Sequence, residues 1–232
     1  MERKNSLIVH EDAKSPVAEA YRVIRTNLQF CQTDSTLHTL LFTSAGPSEG
    51  KSTTIANTAV ALAQTGKKVL LVDCDLRKPV QHKIFQKDKA GVTNYLSEGT
   101  PLEGLFQESG VPNLFLLASG PVPPNPSELL DSEKMRKMLA YVQEKYDYVL
   151  VDVPPVIAVT DAAVLASKVD GVVLILDAGQ VRPEMAKKAT QLLQAANGKV
   201  LGVILNRVEI DAAHSYYYYY YGKEHVQKGS RK

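Results

Sequence analysis

Short runs of apolar, mostly β-branched residues alternate along the chain with longer stretches in which apolar positions recur at helical spacing. Uninterrupted apolar strands of this kind are typical of a parallel sheet that helices cover on both faces. The alternation therefore predicts βα units and the α/β class. The predicted strands are 39–44, 68–73, 114–118, 148–152, 171–177 and 200–206, and the predicted helices are 17–30, 52–64, 132–145, 161–167 and 183–196.

The chain of 232 residues is 44% hydrophobic, which is enough apolar material for one full core, and its net charge of +2 indicates no nucleic-acid partner. Residues 1–207 are predicted to form one domain, and the polar, tyrosine-rich residues 208–232 a flexible tail. The proline-dense segment 120–128 is predicted to be a loop. Because no apolar run reaches the roughly 18 residues of a membrane span, the protein is expected in the cytoplasm. Cys31 and Cys74 are expected to be reduced thiols.

A phosphate-binding loop is indicated between the first predicted strand and the helix that follows it. Residues 45–53 read AGPSEGKST, in the strand–loop–helix setting of a Walker A motif, and predict a three-layer P-loop NTPase fold with a mainly parallel central sheet. Lys51 would bridge the β- and γ-phosphates of ATP, and Ser52 would place its hydroxyl on Mg²⁺. Ala45 stands where the motif usually begins with glycine, and a glycine turn without a ligand is the alternative. The predicted nucleotide-binding residues of the loop are Gly46, Pro47, Ser48, Glu49, Gly50, Lys51, Ser52 and Thr53.

Acidic residues end two of the predicted strands. Asp73 and Asp75 follow the run VLLV, and Asp152 follows YVLV. Ligands of open parallel sheets lie beyond the carboxyl ends of the strands, so these carboxylates are expected beside the phosphate loop, where they suit Mg²⁺. Helix capping is the alternative role for any single one of them. Arg77 is expected either to pair with a carboxylate or to touch phosphate.

The last predicted strand ends in Asn206 and Arg207, at the same edge of the sheet. An asparagine amide can donate to and accept from adenine, so both residues are predicted to contact the nucleotide, with a simple turn as the alternative. Six consecutive tyrosines follow in the tail. They are predicted to accept phosphate, and an aromatic docking patch is the alternative. These acceptor residues are Tyr216, Tyr217, Tyr218, Tyr219, Tyr220 and Tyr221.

The motifs AGPSEGKST, LLVDCDLRKP and VLVDVPP, followed by a tyrosine cluster, resemble the Walker A, A′ and B motifs of the bacterial tyrosine kinases. The resemblance extends from about Pro16 to the C-terminus. Related ATPases of the cell-division and plasmid-partition type carry an additional lysine early in the loop. This chain has Ala45, Gly46 and Pro47 there, which favours the kinases.

The resemblance implies an ATP- and Mg²⁺-dependent tyrosine kinase that phosphorylates its own tail between subunits. Lys51, Asp73 and Asp75 are then the catalytic residues, and Ser52, Asp75 and Asp152 the metal ligands. It also implies control of capsular or extracellular polysaccharide production and export. A division-type ATPase with water as the nucleophile, and a nucleotide-dependent scaffold without catalysis, are the alternatives.

The resemblance further implies partners. A membrane adaptor of the polysaccharide co-polymerase type would recruit the kinase to the inner face of the cell membrane, and a tyrosine phosphatase and other protein substrates are expected. In the segment AEAYRVIRTNL, Glu19, Arg22 and Arg25 recur every three residues, so they share one helix face. By resemblance these residues form the subunit interface of a ring, expected to be an octamer; a solvated helix face is the alternative.

Overall fold

The computed structural model describes residues 7–31 and 37–209. Its seven strands form one sheet in the order β3-β4-β2-β5-β1-β6-β7. All neighbouring strands are parallel except β3 and β4. The mainly parallel sheet predicted from the sequence is therefore confirmed. The strands are β1 (Thr39–Ser44), β2 (Val69–Asp73), β3 (Gln107–Glu108), β4 (Leu114–Leu117), β5 (Tyr148–Asp152), β6 (Gly171–Asp177) and β7 (Val200–Asn206).

The helices agree with the predicted segments and add several short ones. The segment 120–128 is only in part the loop that was predicted, because a helix begins at Pro126 within it. Proline suits the first turn of a helix, since its missing N–H would have no partner there. A π-helix (Asn94–Glu98) and a 3₁₀-helix (Leu102–Leu105) were not predicted. The α-helices are α1 (Ile8–Glu11), α2 (Pro16–Phe30), α3 (Lys51–Ala63), α4 (Gln81–Ile84), α5 (Pro126–Asp131), α6 (Glu133–Gln143), α7 (Asp161–Ala166) and α8 (Pro183–Ala195).

Two hydrophobic cores lie on opposite faces of the sheet. Leu40 and Phe42 of β1 belong to the core that contains α2 and α3, whereas Leu41 belongs to the core that contains α6 and α7. Successive side chains of a strand point to opposite faces, so both faces of β1 are covered. This confirms the three-layer arrangement and explains the uninterrupted apolar strands. At the edge, β7 is less covered, and Val203 and Leu205 are half-exposed.

The helix α2 begins where the sequence indicates. Ser15 precedes it, and the Ser15 hydroxyl accepts a hydrogen bond of 3.1 Å from the N–H of Ala18. This contact satisfies one of the free N–H groups of the first turn. No helix in the described part of the chain combines the length and the apolar character that a membrane span requires.

Candidate active site

The loop between β1 and α3 places its backbone against the end of β7. Gly50 has a φ of 83°, in the left-handed region that favours glycine, and immediately precedes Lys51, the first residue of α3. A Cβ atom at Gly50 would lie 2.1 Å from Nδ2 of Asn206. Any larger residue at this point of the loop would therefore be strained and would displace the Asn206 amide. The N-terminus of α3 contributes the free N–H groups that suit an anion.

Lys51 joins the loop to two of the predicted carboxylates. Its Nζ donates to Oδ1 of Asp152 and lies 3.4 Å from Oδ2 of Asp75, and the residue is buried. Burial alone would lower the pKa of Lys51, but the charges of Asp152 and Asp75 outweigh it and raise that pKa. The ammonium group therefore stays charged and bridges the segment after β2 and the end of β5. The Ser52 hydroxyl lies 3.2 Å from the same Nζ.

Asp73 lies beside Asp152, because the two residues are register partners on β2 and β5. The Asp73 carboxylate accepts hydrogen bonds from the backbone N–H groups of Asp75 (3.2 Å), Val80 (3.2 Å) and Gln81 (3.0 Å). Burial, and then the neighbouring Asp152, raise the pKa of Asp73 to about 8. A carboxyl group with that pKa can both hold and release a proton near neutral pH.

The oxygen atoms around Lys51 suit a magnesium ion. Ser52, Asp75 and Asp152 offer hard oxygen ligands, and Mg²⁺ usually takes only one or two carboxylates and keeps several waters. Burial raises the pKa of Asp75, although Lys51 opposes this effect. Within residues 7–31 and 37–209, no group of three or more His, Cys, Asp and Glu side chains is arranged to hold a metal. The predicted set of two carboxylates and one hydroxyl fits a magnesium ion but stays a prediction.

Gln81 is a component of the site that was not predicted. It is fully buried, and its Nε2 donates to Oδ2 of Asp152 (2.6 Å) and to the carbonyl oxygen of Ser52 (3.1 Å). Its Oε1 is buried and has no hydrogen-bond partner among the described residues. Gln81 thus orients the Asp152 carboxylate relative to α3. No periodic pattern around this residue could have indicated that role.

Asn206 and Arg207 contact the loop and β6. Nδ2 of Asn206 donates a 2.8 Å hydrogen bond to the carbonyl oxygen of Glu49, and Arg207 forms an ion pair with Asp177. Glu49 is buried, its Oε1 accepts from the N–H of Gly46, and burial raises its pKa. Asn206 and Arg207 therefore lie at the edge of the sheet that carries the loop between β1 and α3, as expected. Their contacts with the nucleotide stay predictions.

Arg77 pairs with a carboxylate, which was one of its two expected roles. Its Nε and one terminal nitrogen each lie 2.9 Å from the carboxylate of Asp161. Asp161 is fully buried at the start of α7. Ser127 of α5 donates to the same carboxylate. This cluster fixes the segment after β2 to the neighbouring helices.

The predicted interface residues lie on α2. Arg22 forms an ion pair of 2.6 Å with Glu19, and Arg25 donates to the carbonyl oxygen of Ala61 at 3.4 Å. The side chain of Glu19 is 53% exposed, which leaves it accessible to another chain. The role of these residues in a ring stays a prediction. The tyrosine cluster 216–221 lies outside the described residues.

A lysine-bearing phosphate loop, three strand-end acids and a mainly parallel sheet define a nucleotide-binding P-loop protein of the α/β class. A protein-family model described as an AAA domain matches residues 46–196. Tyrosine-protein kinase YwqD of Bacillus subtilis (strain 168) is 42% identical over 215 residues, which cover 92% of this chain and 90% of YwqD. The chain therefore belongs to the family of the bacterial tyrosine-protein kinases.

Solved structures agree with this assignment. The kinase domain of Escherichia coli tyrosine kinase ETK superposes with a TM-score of 0.86 at 33% identity, over 90% of this chain and 82% of that domain. The chimerical protein CapA2B2 superposes with a TM-score of 0.84 at 40% identity, over 88% of this chain and 90% of the chimera. The septum site-determining protein MinD of Pyrococcus horikoshii OT3, complexed with Mg-ADP, superposes with a TM-score of 0.62 at 24% identity, over 77% of this chain and 76% of MinD. MinD is thus similar in fold alone.

Proposed function

We propose that this protein is an ATP-dependent tyrosine kinase that phosphorylates the tyrosine cluster 216–221 of neighbouring copies. The observation that carries the proposal is the contact of Lys51, at the end of the phosphate loop, with Asp75 and Asp152, next to Asp73. Phosphoryl transfer through a loose transition state requires mainly positioning and charge neutralisation. A buried cation among strand-end carboxylates is suited to both tasks.

The phosphate loop and Lys51 would bind the triphosphate of ATP. The N–H groups at the start of α3 face phosphate oxygens in this type of loop. Lys51 would leave the carboxylates of Asp75 and Asp152 and approach the transferred phosphoryl group. The carboxylates raise its pKa and keep it cationic before the move, and the negative phosphates would do the same after it. Asn206, which already contacts the loop, would hold the adenine together with Arg207.

Asp73 would orient the tyrosine hydroxyl and take its proton late in the transfer. Tyrosine has a pKa of about 10 and an ordinary aspartate about 4, so early deprotonation would cost about 8 kcal/mol. The pKa of Asp73 is raised to about 8, which reduces that difference to about 3 kcal/mol. Only the ionised form of Asp73 can take the proton, so the reaction should speed up as the pH rises toward 8. The three backbone N–H groups that bind this carboxylate hold it in one position.

Ser52, Asp75 and Asp152 would hold Mg²⁺, which supplies positive charge at the phosphates when it is bound. Gln81 supports this arrangement by fixing one oxygen of Asp152. The second Asp152 oxygen, now bound by Lys51, becomes available when the lysine turns to the phosphates.

Transfer between copies is favoured by the length of the tail. From Arg207 to Tyr216 the chain spans at most about 30 Å at ~3.3–3.6 Å per residue. A tail of that length could reach the active site of a neighbouring subunit. To reach its own active site, the tail would have to make a tighter turn. Glu19, Arg22 and Arg25 of α2 would form the contact between subunits in a ring, which we expect to be an octamer.

The cellular role would be control of capsular or extracellular polysaccharide production and export. A membrane adaptor of the polysaccharide co-polymerase type would recruit the chain from the cytoplasm to the inner face of the membrane and activate it. CapA2B2 is described as a chimerical protein, which supports the view that this relative acts together with a second protein. A tyrosine phosphatase would reverse the modification.

The test is an assay of the purified full-length chain with ATP and Mg²⁺, with and without the cytoplasmic segment of its membrane adaptor. Phosphate on the tail is located by mass spectrometry, and ADP is measured in parallel. We expect tail phosphotyrosine, its loss in Lys51→Met, and no loss in Lys187→Met, which changes an exposed lysine of α8. ADP without phosphotyrosine would instead indicate a division-type ATPase, and neither product would indicate a scaffold.

A further inference from the structure

A basic pocket of about 330 Å³ lies directly after β2, on the segment that follows the catalytic acids. It is lined by Lys78, Pro79, Val80, His82, Lys83 and Lys89. None of its three ammonium groups has a carboxylate partner among the described residues. The proposed nucleotide contacts do not use this pocket, because they come from the loop between β1 and α3 and from Asn206 and Arg207 near the end of β7.

The backbone of the pocket is hydrogen-bonded to the catalytic carboxylates. The N–H of Lys78 donates to Oδ1 of Asp75 at 3.0 Å, and the N–H of Val80 donates to Oδ2 of Asp73 at 3.2 Å. Backbone hydrogen bonds therefore connect the pocket to the proposed site of phosphoryl transfer.

The charge of the pocket indicates the class of its ligand. His82, Lys83 and Lys89 line the same pocket. Burial, and then the charges of Lys83 and Lys89, lower the pKa of His82. Nδ1 of His82 is buried and lacks a hydrogen-bond partner among the described residues. A phosphate group carries about −1.5 to −2 charges and several acceptor oxygens. It would satisfy the lysines, which an unmodified tyrosine could not.

We propose that the pocket formed by Lys78, His82, Lys83 and Lys89 is a phosphotyrosine-binding subsite. It would hold a tyrosine that is already phosphorylated and so present another tyrosine of the same segment to Asp73. The inference rests on the proposed kinase function. The ligand of the proposed subsite, a phosphotyrosine, is the product of the kinase reaction.

The proposed subsite requires neighbouring tyrosines of one cluster to reach the pocket and Asp73 together. Consecutive residues of an extended chain are ~3.3–3.6 Å apart, so a phosphotyrosine one or two positions from the acceptor lies within about 7 Å along the chain. Without the lysines, each added phosphate would be repelled by Asp73, Asp75 and Asp152. With them, the first phosphate promotes the next transfer. The cluster 216–221 would therefore be phosphorylated cooperatively.

The first test measures peptide binding and needs no catalysis. Fluorescently labelled peptides of residues 215–222, unmodified or with one central phosphotyrosine, are titrated with the full-length chain and followed by anisotropy. Because charge-assisted hydrogen bonds are the strong ones, we expect about tenfold tighter binding of the phosphopeptide. The preference should disappear in the double variant Lys83→Gln/Lys89→Gln. It should persist in Lys187→Gln/Lys188→Gln, which removes the same charge from exposed positions of α8.

The second test follows the number of phosphates on each intact chain over time by mass spectrometry. The wild type should accumulate multiply phosphorylated chains while unmodified chains remain. In Lys83→Gln/Lys89→Gln the first phosphate should be added at the wild-type rate, and later phosphates about tenfold more slowly. Both lysines are exposed, so loss of folding is not expected, and the first transfer serves as the internal control.

Several results would overturn the subsite. These are equal affinity for the two peptides, a statistical distribution of phosphates in the wild type, or the same defect in the α8 control. Binding of anionic phospholipid vesicles that depends on Lys83 and Lys89, without a preference for the phosphopeptide, would assign the pocket to a membrane instead. Absence of tail phosphate in the wild type would refute the kinase proposal, and the peptide titration would still decide the subsite.

Discussion

A methyl group added at Gly50 meets two obstacles of different kinds. The first is conformational, because the φ of Gly50 is 83° and an L-residue in this region costs about 1–2 kcal/mol. The second is the side chain of Asn206, whose Nδ2 would lie 2.1 Å from the new Cβ. The amide must move, and its 2.8 Å hydrogen bond to the carbonyl oxygen of Glu49 is lost, at a cost of about 0.5–1.5 kcal/mol. We expect Gly50→Ala to lower the free energy of unfolding by about 2–3 kcal/mol.

Gly66 provides a matched control for the first obstacle. Its φ is 82°, and a Cβ at Gly66 would meet nothing within 4 Å. Gly66→Ala should therefore cost only the backbone term of about 1–2 kcal/mol. Adding Asn206→Ala to Gly50→Ala should cost little more, because the hydrogen bond is already lost, whereas Asn206→Ala alone should cost about 1 kcal/mol.

The assay is urea denaturation of the nucleotide-free chain at 25 °C, followed by far-UV circular dichroism. The double-variant cycle isolates the coupling between the loop and the end of β7. Equal losses of stability in Gly50→Ala and Gly66→Ala, together with additive effects of Gly50→Ala and Asn206→Ala, would refute the close contact. ATP affinity provides a second readout, since Gly50→Ala should weaken it and Gly66→Ala should not.

Three further predictions concern the buried charges. Lys51→Met should lower the free energy of unfolding by about 3–5 kcal/mol at pH 8, because two buried carboxylates lose their cation. The loss should be smaller at pH 5, and urea titrations at both pH values measure the difference. The pKa of Asp73 is about 8 in the folded state and 3.8 in the unfolded state. The contribution of the protonated Asp73 carboxyl group to stability is therefore lost as the pH rises from about 4 to 8. Asp73→Asn should flatten that decline, as measured by thermal melts between pH 5 and 8. Arg77→Ala leaves the fully buried Asp161 without its cation and should lower the free energy of unfolding by about 2–4 kcal/mol in chemical denaturation. Arg77→Lys cannot bind Asp161 in the same bidentate way and should lower it by about half as much.

The strands were predictable because burial on both faces leaves a simple pattern. The bounds predicted for 39–44, 148–152 and 171–177 are those of β1, β5 and β6. The sequence does not distinguish a central strand from an edge strand, so the half-exposed side chains of β7 could not be expected. The prolines of 120–128 concealed the start of α5, because proline ends regular structure in most places but suits the first turn of a helix.

The acids of the site were predictable from the ends of strands, whereas the residues that hold them were not. Asp73 and Asp152 become neighbours because β2 and β5 pair in parallel. Gln81 reaches Asp152 across 71 positions of the sequence, and Arg77 reaches Asp161 across 84. Contacts between residues so far apart depend on how the layers pack. No local pattern in the sequence contains that information.

The partners of Lys51 link the binding of nucleotide to the charge of the site. The ammonium group of Lys51 balances Asp75 and Asp152, and it cannot keep these contacts if it turns to the phosphates. Leaving two buried carboxylates without a cation is costly. If the chain binds ATP as proposed, the bound state must therefore gain positive charge at the same oxygens. The set of Ser52, Asp75 and Asp152 suits Mg²⁺ in this respect, so the pairing of Lys51 with two buried carboxylates is a reason to expect ATP and Mg²⁺ to bind together.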